Sequence, residues 1–97
     1  MKKTFNIKVS NKAPERQVES IKFEIKKYVA RERRKKLPED VDYWDFDCKI
    51  GDDKNNCEQI HLSEVNNQIS KIASESKDAF YLEIFVKEGK REKKKSS

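Results

Sequence analysis

The feature that most constrains the fold is a change of hydrophobic period in the first half of the chain. Apolar residues recur three or four positions apart over residues 18–29, and at every second position over residues 44–50. The first spacing places side chains on one face of a helix, and the second places them on one face of a strand. Pro38 lies between the two patterns, and a proline disfavours helical geometry at the residue before it. We therefore predict a helix over about residues 14–36, followed by a strand over residues 43–50.

The rest of the chain carries similar patterns. Strict alternation predicts strands over residues 4–9 and 79–87, and a weaker pattern indicates a short strand near 58–62. Ser63 is a suitable N-cap for a second helix that ends near Ser76. The resulting order is β-α-β-(β)-α-β. This order predicts an α+β fold with a small antiparallel or mixed sheet and two helices on one face, with the ferredoxin-like fold as the first choice.

Composition predicts one small domain. The chain has 97 residues, of which 34% are hydrophobic and 42% are charged, so its core must be thin. We expect a single domain over residues 1–88 and a disordered basic tail over residues 89–97, which hold no apolar side chain. No stretch approaches the roughly 20 apolar residues of a membrane span. Cys48 and Cys57 fit neither a disulfide framework nor a CxxC pair, which favours a cytoplasmic protein with reduced thiols.

Charge is strongly segregated along the chain. The net charge is +5, but residues 26–36 hold seven Lys or Arg against one Glu, whereas residues 37–86 hold twelve Asp or Glu against four Lys. Residues 87–97 are basic again. The sequence leaves open whether the acidic middle of the chain neutralises the basic helix in the folded protein.

Several blocks of sequence together resemble a known family. They are the opening MKKTF, the block RERRKKLPEDVDYWDFDCKIG and the closing FYLEIFVK, which together span nearly the whole chain. They are similar to a family of small bacterial proteins of about 100 residues that is known only as a domain of unknown function. The resemblance implies a single bacterial cytoplasmic domain, and it implies no activity, ligand or catalytic residue.

The basic end of the first helix is the main candidate site. Clustered Lys and Arg side chains can contact successive phosphates of RNA or DNA, with the basic tail adding Lys93–Lys95. The alternative is that these side chains only solvate the helix and interact favourably with its macrodipole. The candidate nucleic-acid-binding residues are Lys26, Lys27, Arg31, Arg33, Arg34, Lys35 and Lys36.

The sheet face away from the helices is a second candidate. We expect it to expose Tyr43, Tyr81 and Phe85, which could stack on RNA bases or form an interface with a protein partner or a second copy of the chain. Asp45 and Asp47 on the same face would repel phosphate, which favours cross-strand packing or protein association over RNA stacking.

The sequence gives weaker evidence for an enzyme than for a binding surface. Asp47-Cys48-Lys49 has the acidic-x-Lys form of metal-dependent nucleases, with Asp45 or Asp42 as a second Mg²⁺ ligand, but the same triplet recurs by chance in so charged a chain. Cys48, Cys57 and His61 lack the close spacing and the fourth ligand of a zinc site. We therefore predict no catalytic residue, no metal and no cofactor, and favour a non-enzymatic binding module. Its expected partner is RNA or the ribosome, then DNA, then a protein; a membrane is not expected.

Overall fold

A computed structural model of the chain describes residues 1–90 and shows the predicted element order. A single 3₁₀ turn at Leu62–Glu64 precedes the second helix. The elements are β1 (Lys2–Asn6), α1 (Pro14–Arg33), β2 (Tyr43–Asp53), β3 (Asn56–Ile60), α2 (Val65–Ser74) and β4 (Ala79–Gly89). The α+β class is confirmed, and so is the short third strand, which lies two residues earlier than predicted.

All four strands form one open antiparallel sheet in the order β1-β4-β2-β3. β4 lies between β1 and β2, and β2 lies between β4 and β3, so each β-α-β unit encloses a strand of the other. This interleaving is typical of split β-α-β folds. The second and fourth strands are central here, whereas the ferredoxin-like fold itself has its first and third strands in the centre.

The core lies between the sheet and the two helices. Alternate residues of the central strands point into it, among them Cys48 and Leu82, both 0% exposed. The predicted stripe of α1 is buried at Val18, Ile21, Ile25 and Val29, and α2 contributes Val65, Ile69 and Ile72. Burying each of these side chains stabilises the fold by about 1.5–3 kcal/mol before conformational entropy is subtracted. The sheet and both helices therefore share one hydrophobic core.

Several element boundaries differ from the prediction. α1 ends at Arg33 rather than at Lys36, and β1 ends at Asn6, after which Val9 forms only an isolated bridge with Lys12. Ser63 lies inside the 3₁₀ turn and caps no helix.

The C-terminal end of the fold also bears on the predicted domain boundary. β4 continues to Gly89, which is buried, so the ordered domain reaches at least one residue beyond the predicted boundary. The tail predicted to be disordered is residues 89–97, and residues 91–97 of it lie outside the described part of the chain. Within residues 1–90, neither helix has the length and apolar content needed to cross a bilayer.

Candidate functional site

The basic end of α1 is held against the sheet by contacts to β2. The indole Nε1 of Trp44 donates a hydrogen bond to the backbone carbonyl of Lys35 at 2.8 Å, just beyond the last helical residue. The Arg33 guanidinium lies 5.5 Å from the centre of the Phe46 ring. Glu32 is buried, and its carboxylate pairs with Lys35 at 2.8 Å. The end of the helix therefore has a fixed position instead of projecting freely into solvent.

Most of the predicted basic residues have no acidic partner. Lys35 is the one member of the set that forms an ion pair, and its partner Glu32 belongs to the same helix. For the other six, no carboxylate of residues 1–90 lies within 4.0 Å of the charged group. These six unpaired basic residues are Lys26, Lys27, Arg31, Arg33, Arg34 and Lys36. We call these six residues the cationic surface of α1. Lys27, Arg31 and Arg34 line one groove on it, and Lys26 and Arg33 line another beside the start of α2.

Some acidic residues from the middle of the chain pair with lysines outside α1. Asp52 bonds Lys77 at 2.6 Å, and this hydrogen bond raises the pKa of the lysine. Asp47 bonds Lys87 at 2.7 Å, which raises the pKa of that lysine in the same way. Neither of these carboxylates contacts α1. For these two carboxylates the question that the sequence left open is answered, because each is paired with a lysine outside α1.

An exposed aromatic ring lies within the cationic surface. Phe23 is 62% exposed on the outer side of α1, and the Lys27 ammonium lies 5.5 Å from its ring centre. A shallow groove of about 620 Å³ runs beside it, lined among others by Tyr28, Arg31 and Arg34. Sequence analysis did not assign Phe23 to the site. The signal was present, because at 100° per residue Phe23 falls opposite the buried stripe and beside Lys27 and Arg34.

The open sheet face differs from the expectation at one position. Tyr43 and Phe85 are exposed, at 39% and 43%, as predicted. Tyr81 is only 7% exposed, so the expectation of three free rings is corrected there. Its cross-strand neighbour in β2 is Gly51, which has no side chain. The Tyr81 hydroxyl donates a 2.7 Å hydrogen bond to Glu83, and this bond, with burial, raises the pKa of Tyr81 to about 12.

The acidic residues of the open face do not form a metal site. Lys87 contacts both Asp47, at 2.7 Å, and Asp45, at 3.9 Å, and so offsets one of their two negative charges. Within the described residues, no three His, Cys, Asp or Glu side chains lie close enough together to hold a metal ion. This arrangement gives no support to the nuclease or zinc hypotheses.

The two cysteines lie in different environments. Cys48 is fully buried in the core, and burial, followed by the nearby charges of Asp47 and Asp45, raises the pKa of its thiol to about 11. Cys57 is partly exposed, and its thiol lies 3.6 Å from the carbonyl of Lys54. Neither thiol is bonded to the other. A buried thiol with a raised pKa is unreactive, so Cys48 has no features of a nucleophile.

Comparison with known proteins places the chain in a family. No curated protein matches it, and no solved structure matches it. One family model matches residues 1–95, which is nearly the whole chain. The resemblance to a family without an assigned function is thereby confirmed: the chain belongs to the family described as "Family of unknown function (DUF6172)".

Proposed function

We propose that the protein is a non-enzymatic nucleic-acid-binding module that uses the basic end of α1, with RNA or the ribosome as the first candidate partner and DNA as the second. The observation that carries this proposal is a set of six basic residues along the last two turns of α1 and just after it, none of which has an acidic partner among residues 1–90. Neutralising phosphates with such side chains releases counterions, which supplies most of the free energy of non-specific nucleic-acid binding.

The helix macrodipole alone does not account for this charge. Cations at a helix C-terminus are favourable, but the effect is confined to about the last turn. Arg31 and Arg33 lie in the last turn of α1, whereas Lys26 and Lys27 lie about two turns before its end. The basic surface thus extends beyond the region in which the dipole would favour it, and an anionic partner accounts for all of it.

The test is binding to a generic labelled RNA at several salt concentrations. We expect log K to fall linearly with log [salt], and the triple replacement of Arg31, Arg33 and Arg34 by Gln to make the slope less steep by about 2. Since these side chains are exposed, the triple variant should still fold, which its thermal unfolding will verify.

A matched control removes the same charge elsewhere. Lys49, Lys54 and Lys71 are exposed and have no ion-pair partner among residues 1–90. Their triple replacement by Gln lowers the net charge equally and should leave most of the salt slope intact. Equal losses in both triple variants would show that only net charge matters. An absence of wild-type binding at low salt would refute the proposal.

The exposed rings of Tyr43 and Phe85 favour a second candidate function, association through the open sheet face with a second copy or a protein partner. Phe85→Glu would place a charge beside Asp47 and should dissociate such a complex, whereas the arginine triple variant should not. Sedimentation over a range of protein concentrations measures this directly. A concentration-independent monomer would refute self-association.

We also propose that the protein works in the cytoplasm. Cys48 and Cys57 are both free, which is typical of proteins in reducing compartments. Measuring both thiols in protein isolated under conditions that block exchange would test this, since an intermolecular or mixed disulfide would contradict it.

A further inference from the structure

We infer that Phe23 is a base-stacking residue, so that the α1 surface selects single-stranded nucleic acid with unpaired bases over duplexes. This inference rests on the proposed function. It adds the class of ligand, single-stranded nucleic acid, and the residue that contacts its bases, Phe23. The argument starts from the position of the ring. Phe23 is 62% exposed, and no other large hydrophobic side chain within residues 1–90 is exposed to that extent.

The ring has cationic neighbours on its own helix face. Lys27 follows Phe23 by one turn and Arg34 follows by about three turns, so all three project from the outer side of α1. The Lys27 ammonium lies 5.5 Å from the centre of the ring. Neither Lys27 nor Arg34 has an acidic partner among the described residues. A strand lying along this face would meet an aromatic surface and phosphate-binding charges together.

The groove beside the ring has a size and charge suited to a nucleotide. It has a volume of about 620 Å³ and is open to solvent, and Arg31 and Arg34 line it together with Lys27. Glu24 lies at its edge, but its carboxylate is paired with Lys3 at 3.0 Å. Charge complementarity therefore favours an anionic occupant.

Base-aromatic stacking distinguishes single strands from duplexes. Every base has a π-face, but in a duplex that face is covered by the neighbouring pairs. An exposed ring surrounded by basic side chains is the combination that proteins use on single-stranded nucleic acid. A surface built only for duplex phosphates would gain nothing from an exposed Phe23, and the ring would be left in contact with water.

The experiment compares four fluorescent probes of equal length: single-stranded RNA, single-stranded DNA, an abasic single strand, and a duplex of the RNA. We expect the wild-type protein to bind both single strands with bases more tightly than the abasic strand and the duplex. Phe23→Ala should weaken binding to the two strands with bases by about 5- to 150-fold, and should leave the abasic strand and the duplex almost unchanged. A difference in affinity between the single-stranded RNA and DNA probes shows whether the surface prefers ribose or deoxyribose.

Salt dependence separates stacking from charge. Phe23→Ala removes no phosphate contact, so the slope of log K against log [salt] should stay the same while the affinity falls. Arg34→Gln should instead make the slope less steep by about 0.7. Phe85→Ala is the matched control, because it removes an exposed ring from the open sheet face. It should leave affinity and slope unchanged.

The outcomes distinguish the two proposals. If the wild-type protein binds no probe at low salt, both the proposed function and this inference fail. If it binds with a clear salt slope but Phe23→Ala equals wild type, or the abasic strand binds as tightly as the strand with bases, the basic surface is confirmed and the stacking role is overturned. Tighter binding to the duplex would overturn it as well. Phe23 is exposed, so loss of folding in the variant is not expected, and thermal unfolding will check this.

Discussion

The hydrogen bond from Trp44 to the Lys35 carbonyl holds the basic end of α1 against the sheet, and replacing Trp44 tests this role. Trp44→Phe keeps an aromatic ring in β2 but removes the indole donor that bonds the Lys35 carbonyl at 2.8 Å. Because this hydrogen bond is exposed, its loss should cost about 0.5–1 kcal/mol. The smaller ring also loses apolar contact with the core, which costs about 1 kcal/mol more. We expect a total loss of about 1–2 kcal/mol in the free energy of unfolding.

For a domain of this size that loss corresponds to a fall in Tm of about 5–15 °C, measurable by circular dichroism. Hydrogen exchange gives the more specific readout. The amides of Arg34 and Lys35 donate to Arg31 and Glu32 at 3.3 Å, and they should exchange faster in the variant by more than the global loss of stability explains.

Tyr43→Phe is the control for this experiment. It lies next to Trp44 on the opposite sheet face, and it keeps the ring that lies over Gly89. We expect it to change stability by less than about 0.5 kcal/mol. The contrary outcome is that Trp44→Phe lowers Tm and yet increases the exchange rates of the Arg34 and Lys35 amides only as much as those of the other α1 amides. In that case the indole stabilises the core only. The account of a positioned helix end would then be wrong.

The remaining predictions concern the thiols, alkaline stability and glycine. At pH 8 a thiol reagent should modify Cys57 in the folded protein and reach Cys48 only on unfolding, because Cys48 is fully buried and its pKa is about 11. Rapid modification of both thiols in the folded protein would contradict this. The free energy of unfolding should fall above about pH 9, because Cys48 and Tyr81 have higher pKa values in the folded state, so the unfolded chain releases these protons first. Chemical denaturation at pH 8 and pH 11 measures the fall, which Tyr81→Phe should reduce; equal stability at both values would refute it. Gly51→Ala should destabilise by about 2 kcal/mol or more, since a Cβ would overlap the backbone of β3. Gly89→Ala should cost less in the same assay, because there the Cβ meets the side chain of Tyr43, which can move; the reverse order would contradict this reading.

The sequence predicted most of the helices and strands because each of those segments carries a single clear period, whereas the short third strand had only a weak pattern. The alternation over residues 79–87 defined β4, and the helical stripe defined α1. Boundaries were less accurate, because they depend on contacts between distant residues. α1 ends before the stop suggested by Pro38, and the Lys35 carbonyl bonds Trp44 instead of continuing the helix. At α2, the 3₁₀ turn at Leu62–Glu64 replaces the cap predicted at Ser63.

The environment of the candidate residues could not be predicted from the sequence. Alternation assigns Tyr81 to the open face, yet it cannot show how neighbouring strands cover the ring. Charge counts likewise cannot show that Asp47 pairs with Lys87 on the neighbouring strand of the sheet. The exposure of Phe23 could not be predicted, because a single sequence does not reveal whether another element covers that side of the helix.

The position of β4 in the sheet has a consequence for how the protein is made. β4 is the last element of the described chain, yet it pairs with both β1 and β2. Until residues 79–89 have left the ribosome, β1 has no strand to pair with, and the only strand pair that can form is the hairpin of β2 and β3. Such long-range pairing also slows folding, because distant segments must first be brought together. Assembly of the sheet therefore waits for nearly the whole chain, and the emerging polypeptide presents its basic helix before its core can close.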